Sequence, residues 1–434
     1  MRQVPVHADH VAAEAARSRS AGSQGRLTAP RPPGRSRTRR WARGRPAAVT
    51  AVALAALAAA GASPAATPAA SAQTRQDVAA RPAPGLAQGW SVVPSPNRSG
   101  NNELTGVSCL SASACTAVGF HGRPVNTLIE SWNGATWSVV PSPPSPGHNQ
   151  LQDVSCVSAS ACTAVGFHAP NRYRTLIESW NGTAWSIVPS PNTAGPDSLL
   201  DAVSCVSASA CTAVGAGTAA SGGPRTLIES WNGTTWSIVP SPNPDSLGDN
   251  LSAVSCVSPT TCTAVGVRGR KPKTLVESWN GTTWSIAPSP NEPSAINLLT
   301  GVSCLSATAC TAVGAYSTSA GTKTLVESWN GTAWSIAPSP NKANANSQLS
   351  GVSCVSATAC TAVGQYQRAS PVASTLIESW NGTAWSIAPS PNPASVSSNV
   401  LNAVSCAPAG SCTAVGSYGS PVKTLIESSA GVAR

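Results

Sequence analysis

The chain is short of the residues that usually give a protein interior its bulk. Its 434 residues hold one Met, two Phe and four Tyr, and charged side chains make up only 10%. No stretch repeats apolar residues at the i, i+3, i+4 spacing of a helix, which excludes a helix bundle or a doubly wound α/β fold. No apolar run reaches the roughly twenty residues of a membrane-spanning helix. Gly-rich phosphate loops, H-E-x-x-H and G-x-S-x-G are all missing, which removes the motif-borne routes to nucleotide, zinc-hydrolase and α/β-hydrolase chemistry. Histidine occurs at five scattered positions, too few for a His-built metal centre. No metal and no cofactor is expected.

Acidic charge is scarce in one place only. Residues 1–72 hold eleven Arg against Asp9 and Glu14, whereas the remaining chain balances sixteen bases with fifteen acids. The formal net charge of +10 therefore belongs to the leader and carries no nucleic-acid signal. That leader has the parts of an export signal: an Arg-rich segment to Arg45, an apolar run from Ala47 to Ala60, and small residues for cleavage at Ala70-Ser71-Ala72. Arg39-Arg40 leaves general and twin-arginine export both open. The expected organisation is an export region (1–72), a flexible linker (73–88), a repeat domain (89–428) and a short tail (429–434). The expected product is secreted, free or wall-associated, with no membrane span after cleavage.

What the chain does have is cysteine and tryptophan in strict order. The fourteen Cys fall as Cys109/Cys115, Cys156/Cys162, Cys205/Cys211, Cys256/Cys262, Cys304/Cys310, Cys354/Cys360 and Cys406/Cys412. Five residues separate the members of every pair, too many for the usual zinc spacing, so the pairs read as disulfides. Each flanks a hairpin, the first around Leu-Ser-Ala-Ser-Ala. A cross-link over so short a loop constrains the unfolded chain by roughly 2–2.5 kcal/mol on the loop-entropy account. The space between sheets is assigned to Trp, Val, Ile, Leu and Ala, because Phe, Met and Tyr are so few.

Each pair opens one copy of L-x-x-V-S-C-x5-C-T-A-V-G…T-L-I/V-E-S-W-N-G-x-x-W-S-I/V-x-P-S-P-N. In the first copy, four runs rich in Val, Ile, Thr and Trp read as strands: Leu104 to Cys109, Cys115 to Gly119, Thr127 to Trp132 and Thr136 to Pro141. Asn133-Gly134 predicts a two-residue type I′ hairpin between the last two.

The seventh copy stops after Ser428, and its missing W-S-x-x-P-S-P-N stands at Trp90 to Asn97, ahead of the first copy. Such a permutation serves a ring whose first strand completes the last sheet. The predicted fold is all-β: a seven-bladed β-propeller of four-stranded antiparallel blades, closed by the N-terminal strand in a 1+3 arrangement, with one disulfide per blade. A self-closed ring predicts a monomer. A period of 47 to 52 residues suits kelch-type blades. The repeats resemble kelch and galactose-oxidase-like propellers, and in particular the W-N-G-x-x-W…P-S-P-N repeats of secreted bacterial propeller proteins. The resemblance implies fold and leaves activity open. Galactose-oxidase chemistry would need a Tyr–Cys link, and every Cys is already paired. S-W-N-G-x-x-W is also similar to the Asp-box of sialidase propellers, one residue shorter and with Asn for Asp, and that box is itself a structural turn.

Strand direction alternates, so the disulfide hairpins and Asn-Gly turns should share one face, and the second-to-third-strand loops and inter-blade loops the other. The first set is monotonous and the second varies in every copy. Variable loops on a rigid scaffold are where binding concentrates. They carry Arg123, Arg172, Arg174, Arg225, Arg268, Arg270, Lys271, Lys273, Lys323, Arg368 and Lys423, together with His121, His168, Tyr173, Tyr316, Tyr366 and Tyr418, and no acid. Asp197, Asp201, Asp245, Asp249 and Glu292 are assigned to inter-blade loops.

The basic and tyrosine residues form the candidate ligand-binding set, for an anionic polysaccharide or cell-envelope polymer. Charges that serve only solubility are the plain alternative. No catalytic residue is assigned. Glu130, Glu178, Glu229, Glu277, Glu327, Glu378 and Glu427 recur once per blade, as do paired Trp residues such as Trp132 and Trp137, and repetition suits structure better than one asymmetric active centre. The resulting expectation is a non-enzymatic binding or scaffold module. A polysaccharide-active hydrolase or lyase and a protein-interaction module remain as alternatives. Sequons such as Asn181-Gly182-Thr183 follow from the turn and are given no modification.

Overall fold

The computed structural model describes residues 89–220, 223–244, 248–368, 371–394 and 396–429. The expected export region, the linker and the end of the tail lie outside the described residues. The rest is β-strand and turn, in seven four-stranded antiparallel sheets. In blade one the strands run Asn102–Ser111, Ala114–His121, Asn126–Trp132 and Trp137–Val140, from the axis outward. Innermost strands pack on one another from blade to blade around the whole circle, blade seven on blade one included.

The seventh sheet is completed as the permuted repeat predicts. Trp90–Val92 pairs with Lys423–Ser429 through Trp90↔Ser429, Ser91↔Ser428 and Val92↔Glu427. Val93 N then donates to Ile426 O at 2.9 Å and Thr424 N to Asn97 Oδ1 at 2.9 Å. The last strand includes Ser429, one residue beyond the expected domain end. All seven disulfides form, each across a hairpin with its Cα atoms 4.0 Å apart.

The core lies between blades, where small side chains suffice. Leu104, Val107, Ala117, Leu128 and Trp137 of blade one pack on Val415 and Ile426 of blade seven. The same mixture recurs at the other blade junctions. Each fully buried Leu or Ile contributes roughly 1.5–3 kcal/mol of burial. The paired Trp rings sit 5.7–5.8 Å apart, and the first of each pair donates from Nε1 to the disulfide hairpin, as Trp132 does to Ala112 O at 3.0 Å. The pairs therefore serve packing.

Polar groups join the blades as well. The hydroxyl of each V-S-C serine accepts the Cys N–H of the next blade at 2.9–3.0 Å, from Ser108 to Cys156 and on to Ser405 and Cys109.

Four expectations need correction. The first concerns the cysteines, whose pairing is as expected but whose place is not. They are more than staples around a hairpin, and the space between sheets is not left to Trp, Val, Ile, Leu and Ala alone. The second member of each pair is a core residue: Cys115, Cys162, Cys211, Cys262, Cys310, Cys360 and Cys412 are buried, at 3–7% exposed. Each stands in the cluster at its own blade junction, with the half-buried first member packed against it.

Strand register is the reason. The two members face each other as Cα partners in the ladder, so the bond lies within the sheet. Alternation along the second strand then turns Cys115 to the same side as buried Ala117. Threonine hydroxyls of the preceding blade close over five of these sulfurs at 3.6–3.9 Å: Thr163 on Cys211, Thr212 on Cys262, Thr263 on Cys310, Thr361 on Cys412 and Thr413 on Cys115.

The Asn-Gly hairpin is not a two-residue type I′ turn. Trp132 pairs with Trp137, leaving four residues in the loop, and only Gly134 has positive φ, at 92°. Asn133 Oδ1 instead accepts the N–H groups of Ala135 and Thr136, both at 2.9 Å, and this side-chain cap replaces the backbone turn. The first strand is longer than its apolar run, because a bulge between Leu104 and Gly106 offsets the alternation. That bulge pushes Glu103 O into the space a Cβ on Gly119 would need, which explains the glycine of A-V-G. Asp201 is no loop residue: it sits in the inner strand Ser198–Ser207, at the equivalent bulge.

Candidate functional site

The recurring glutamates are sealed inside. Each of Glu130, Glu178, Glu229, Glu277, Glu327, Glu378 and Glu427 is 0% exposed. Each accepts from the serine of the preceding P-S-P at 2.7–3.0 Å: Ser95 to Glu130, Ser142 to Glu178, Ser190 to Glu229, Ser241 to Glu277, Ser289 to Glu327, Ser339 to Glu378 and Ser390 to Glu427. That serine also meets its own blade's T-L-I/V-E threonine at 2.5–2.9 Å. Thr–Ser–Glu relays thus link every blade to the next.

Burial, opposed by the serine hydrogen bond, pushes the carboxyls to about 7 in Glu130, Glu178, Glu327, Glu378 and Glu427. Glu229 and Glu277 reach about 8. Raised carboxyl pKa values mark many active sites, but no substrate reaches these. Two acids of the inner strands behave similarly. Burial raises Asp153 to about 7 against hydrogen bonds from Val203 N and Val154 N, and it raises Glu103 against Asn402 Nδ2.

The two faces divide as the strand directions require. Gly134 in the Asn-Gly turn packs on Ser113 of the disulfide hairpin. On the other side, the start of an inner strand bonds to the preceding blade's second-to-third-strand loop, as in Asn149 N to Val125 O at 3.0 Å and Ser198 N to Tyr173 O at 3.0 Å.

The candidate residues are spread around this second face, and most do not stand in loops. Arg123, Arg172, Tyr173, Arg270, Lys271 and Arg368 are loop residues and exposed. Arg174, Arg225, Arg268, Lys273, Tyr316, Lys323, Tyr366, Tyr418 and Lys423 lie at strand ends, because the ladders continue past the apolar runs. Tyr316 faces Lys323, and Tyr418 faces Lys423, as Cα partners. Arg268 faces Lys273, a like-charge pair that costs stability where it stands.

Two acids on this face are spent on backbone. Asp197 Oδ1 accepts Tyr173 N at 3.1 Å, and Asp249 Oδ1, fully buried, accepts Gly269 N at 3.1 Å. Asp245 lies outside the described residues. Burial first, and then the Arg98 charge, hold His121 below the ordinary range; burial, opposed by a backbone hydrogen bond to Pro146 and aided by Arg174, does so for His168.

Two cations absent from the candidate set belong here. Lys342 Nζ lies 5.5 Å from the Tyr366 ring centroid and Arg368 Cζ 5.6 Å from it. Arg98 is exposed on the connection into blade one. Both Arg98 and Lys342 sit in inter-blade loops, where their charge in the sequence is the signal that marks them. Tyr173 also meets Phe167 edge-on, 5.1 Å between centroids. Where blade seven meets blade one, Ser99, Gly100, Asn101 and Arg123 line an open cleft of about 410 Å3.

No family model and no curated protein matches the chain. Solved structures do. YCF48 bound to D1 peptide is 11% identical, with 78% of this chain and 96% of that chain covered and a TM-score of 0.47. YCF48 from Cyanidioschyzon merolae is 13% identical, with 78% and 98% covered and a TM-score of 0.48. The extracellular domain of a B. thetaiotaomicron chain named as the hybrid two-component system BT4673 is 8% identical, with 78% and 39% covered and a TM-score of 0.50. At such identities the last likeness speaks for the propeller fold alone.

Proposed function

We propose that this chain is an exported, non-enzymatic binding module whose variable face recognises an anionic partner, an acidic glycan or a cell-envelope polymer. One observation carries the reading. Arg and Lys side chains gather on a single face with no salt bridge to a carboxylate among the described residues, while Asp197 and Asp249 on the same face are turned to backbone N–H groups. The Arg268–Lys273 pairing supports it, since like charges held opposite each other serve something other than stability. Export through the segment at 1–72, followed by a linker at 73–88, would deliver the fourteen paired Cys to an oxidising compartment, where such pairs persist.

The test is retention on immobilised dextran sulfate and polygalacturonate as salt is raised. Charge-mediated binding should be strong near 10 mM, where the Debye length is about 30 Å, and largely gone at 1 M, where it is about 3 Å. Absence of retention at low salt would remove the reading. Capture of an acidic protein in preference to either polymer would redirect it to a protein partner.

A further inference from the structure

We infer that the seam between blade seven and blade one holds a discrete oxyanion site, formed by Ser99, Gly100, Asn101 and Arg123. It would receive one carboxylate, sulfate or phosphate substituent of a larger ligand. The inference rests on the anionic-partner reading above and narrows it to one position.

The cleft at the seam is open and about 410 Å3, room for one charged substituent of a ligand that stays mostly outside it. Its lining offers donors. Arg123 is exposed and makes no ion pair among the described residues. Asn101 Oδ1 is committed to Val422 N at 3.3 Å, so the amide N–H groups are what this side chain has left to give. Ser99 adds a hydroxyl. Arg98, one residue away, adds a second positive charge, sensed at His121. A guanidinium beside neutral donors suits a planar or tetrahedral oxyanion held by two N–H bonds.

The walls are held in place by bonds the ligand does not need. Asn102, 1% exposed, accepts Arg98 N at 2.8 Å and donates to Arg98 O and Gly100 O, both at 2.9 Å. Gly122 N donates to Asn101 O at 2.8 Å, and Asn102 N donates to Val422 O at 2.9 Å. The cleft is thus assembled from three pieces: the connection at 98–101, the blade-one loop carrying Arg123, and the blade-seven loop carrying Val422. Because the first follows directly on the closing strand, occupancy should also stabilise closure, in proportion to the logarithm of ligand concentration above Kd.

The probes are D-galacturonate, glucose 6-sulfate and glucose 6-phosphate, with glucose as the neutral control. Each is titrated by calorimetry and thermal shift at about 10 mM salt. Wild-type protein should bind at least one charged sugar saturably and melt at a higher temperature with it, while glucose does neither. Arg123→Ala should weaken that binding about tenfold or more, and Arg123→Lys should restore part of it. Unliganded Arg123→Ala should melt with the wild type, since Arg123 is exposed and bonds to nothing described. Equal affinity in Arg123→Ala and wild type would overturn the assignment, as would binding of no charged sugar. If dextran sulfate is still retained in either case, only the seam site falls. If it is not, the basic-face reading falls too.

Discussion

Ser95 donates its hydroxyl to Glu130 Oε2 at 2.7 Å, joining the segment just after the strand that completes blade seven to the third strand of blade one. Six other serines make the same bond between blades continuous in sequence. This one crosses the seam where the ring's first and last strands meet, so it reports on closure itself.

Ser95→Ala should therefore destabilise the fold by about 1–3 kcal/mol, the cost of leaving a buried polar group unsatisfied. Glu130 Oε1 already lacks a partner, so the substitution strips the whole carboxyl. Urea unfolding of wild type, Ser95→Ala and Ser95→Thr measures it; Thr keeps a hydroxyl and should lose less. A Ser95→Ala midpoint equal to wild type would show that the relay contributes nothing at the seam.

The buried carboxyls set a direction with pH. Their folded pKa values, about 7 to 8, stand above the 4.5 of an unperturbed glutamate. Below 4.5 folded and unfolded chains hold these protons alike, and stability is at its full value. Between 4.5 and about 8 the unfolded chain releases protons that the folded chain keeps, so stability falls as pH rises. Urea midpoints should be higher at pH 5 than at pH 9. Glu229→Gln, which removes one of the most raised groups, should shrink the difference. With no free cysteine to start exchange, disulfide reshuffling should not blur the comparison.

Lys273→Glu separates stability from binding. It turns the like-charge pair with Arg268 into an attractive one, worth about 0.2–1 kcal/mol on an exposed ladder. The melting temperature should rise slightly while retention on dextran sulfate weakens. Retention at wild-type salt would argue that these cations serve solubility.

Deletion of residues 89–97 removes Trp90, which is 8% exposed and packs on Leu401, Val404 and Leu425. It also leaves the strand Lys423–Ser429 as a bare edge. Losing a buried Trp alone costs about 3–5 kcal/mol. The truncated protein should melt lower and aggregate, visible by light scattering alongside calorimetry.

Closure, four strands per blade and the disulfides were legible because each leaves a periodic mark: an orphaned W-S-V-V-P-S-P-N, turn residues at fixed offsets, cysteines in pairs. Spacing paired the cysteines but did not say that Cys211 or Cys360 faces the neighbouring blade, because that follows from ladder register. The bulge at Leu104/Gly106 left no mark, since no turn residue announces it; only the unexplained glycine of A-V-G hinted at it. The Asn-Gly turn misled because the same dipeptide serves a four-residue loop when the Asn side chain caps the backbone. Tyr316 and Lys323 read as loop residues because they flank a variable segment, yet pairing continues through both, and ladder length is set by the neighbouring strand. At the candidate site the sequence marked the cations but not their isolation from the acids. That depends on Asp197 and Asp249 turning inward, which only three-dimensional placement reveals. Arg98 and Lys342 stand in inter-blade loops, a class marked elsewhere by acids such as Asp197 and Glu292, although their own two loops hold none.

No disulfide joins one blade to another; each cross-links a hairpin within its own sheet. The circle is thus sealed without covalent help, and a segment of nine residues from Gly89 to Asn97 acts as its clasp. Nothing chemical tells the clasp which molecule it belongs to. When many copies refold side by side, one chain's amino-terminal segment can finish its neighbour's seventh sheet, and the products are interlocked dimers or head-to-tail strings. Dilute refolding favours the self-fastened monomer, and crowded refolding favours exchange.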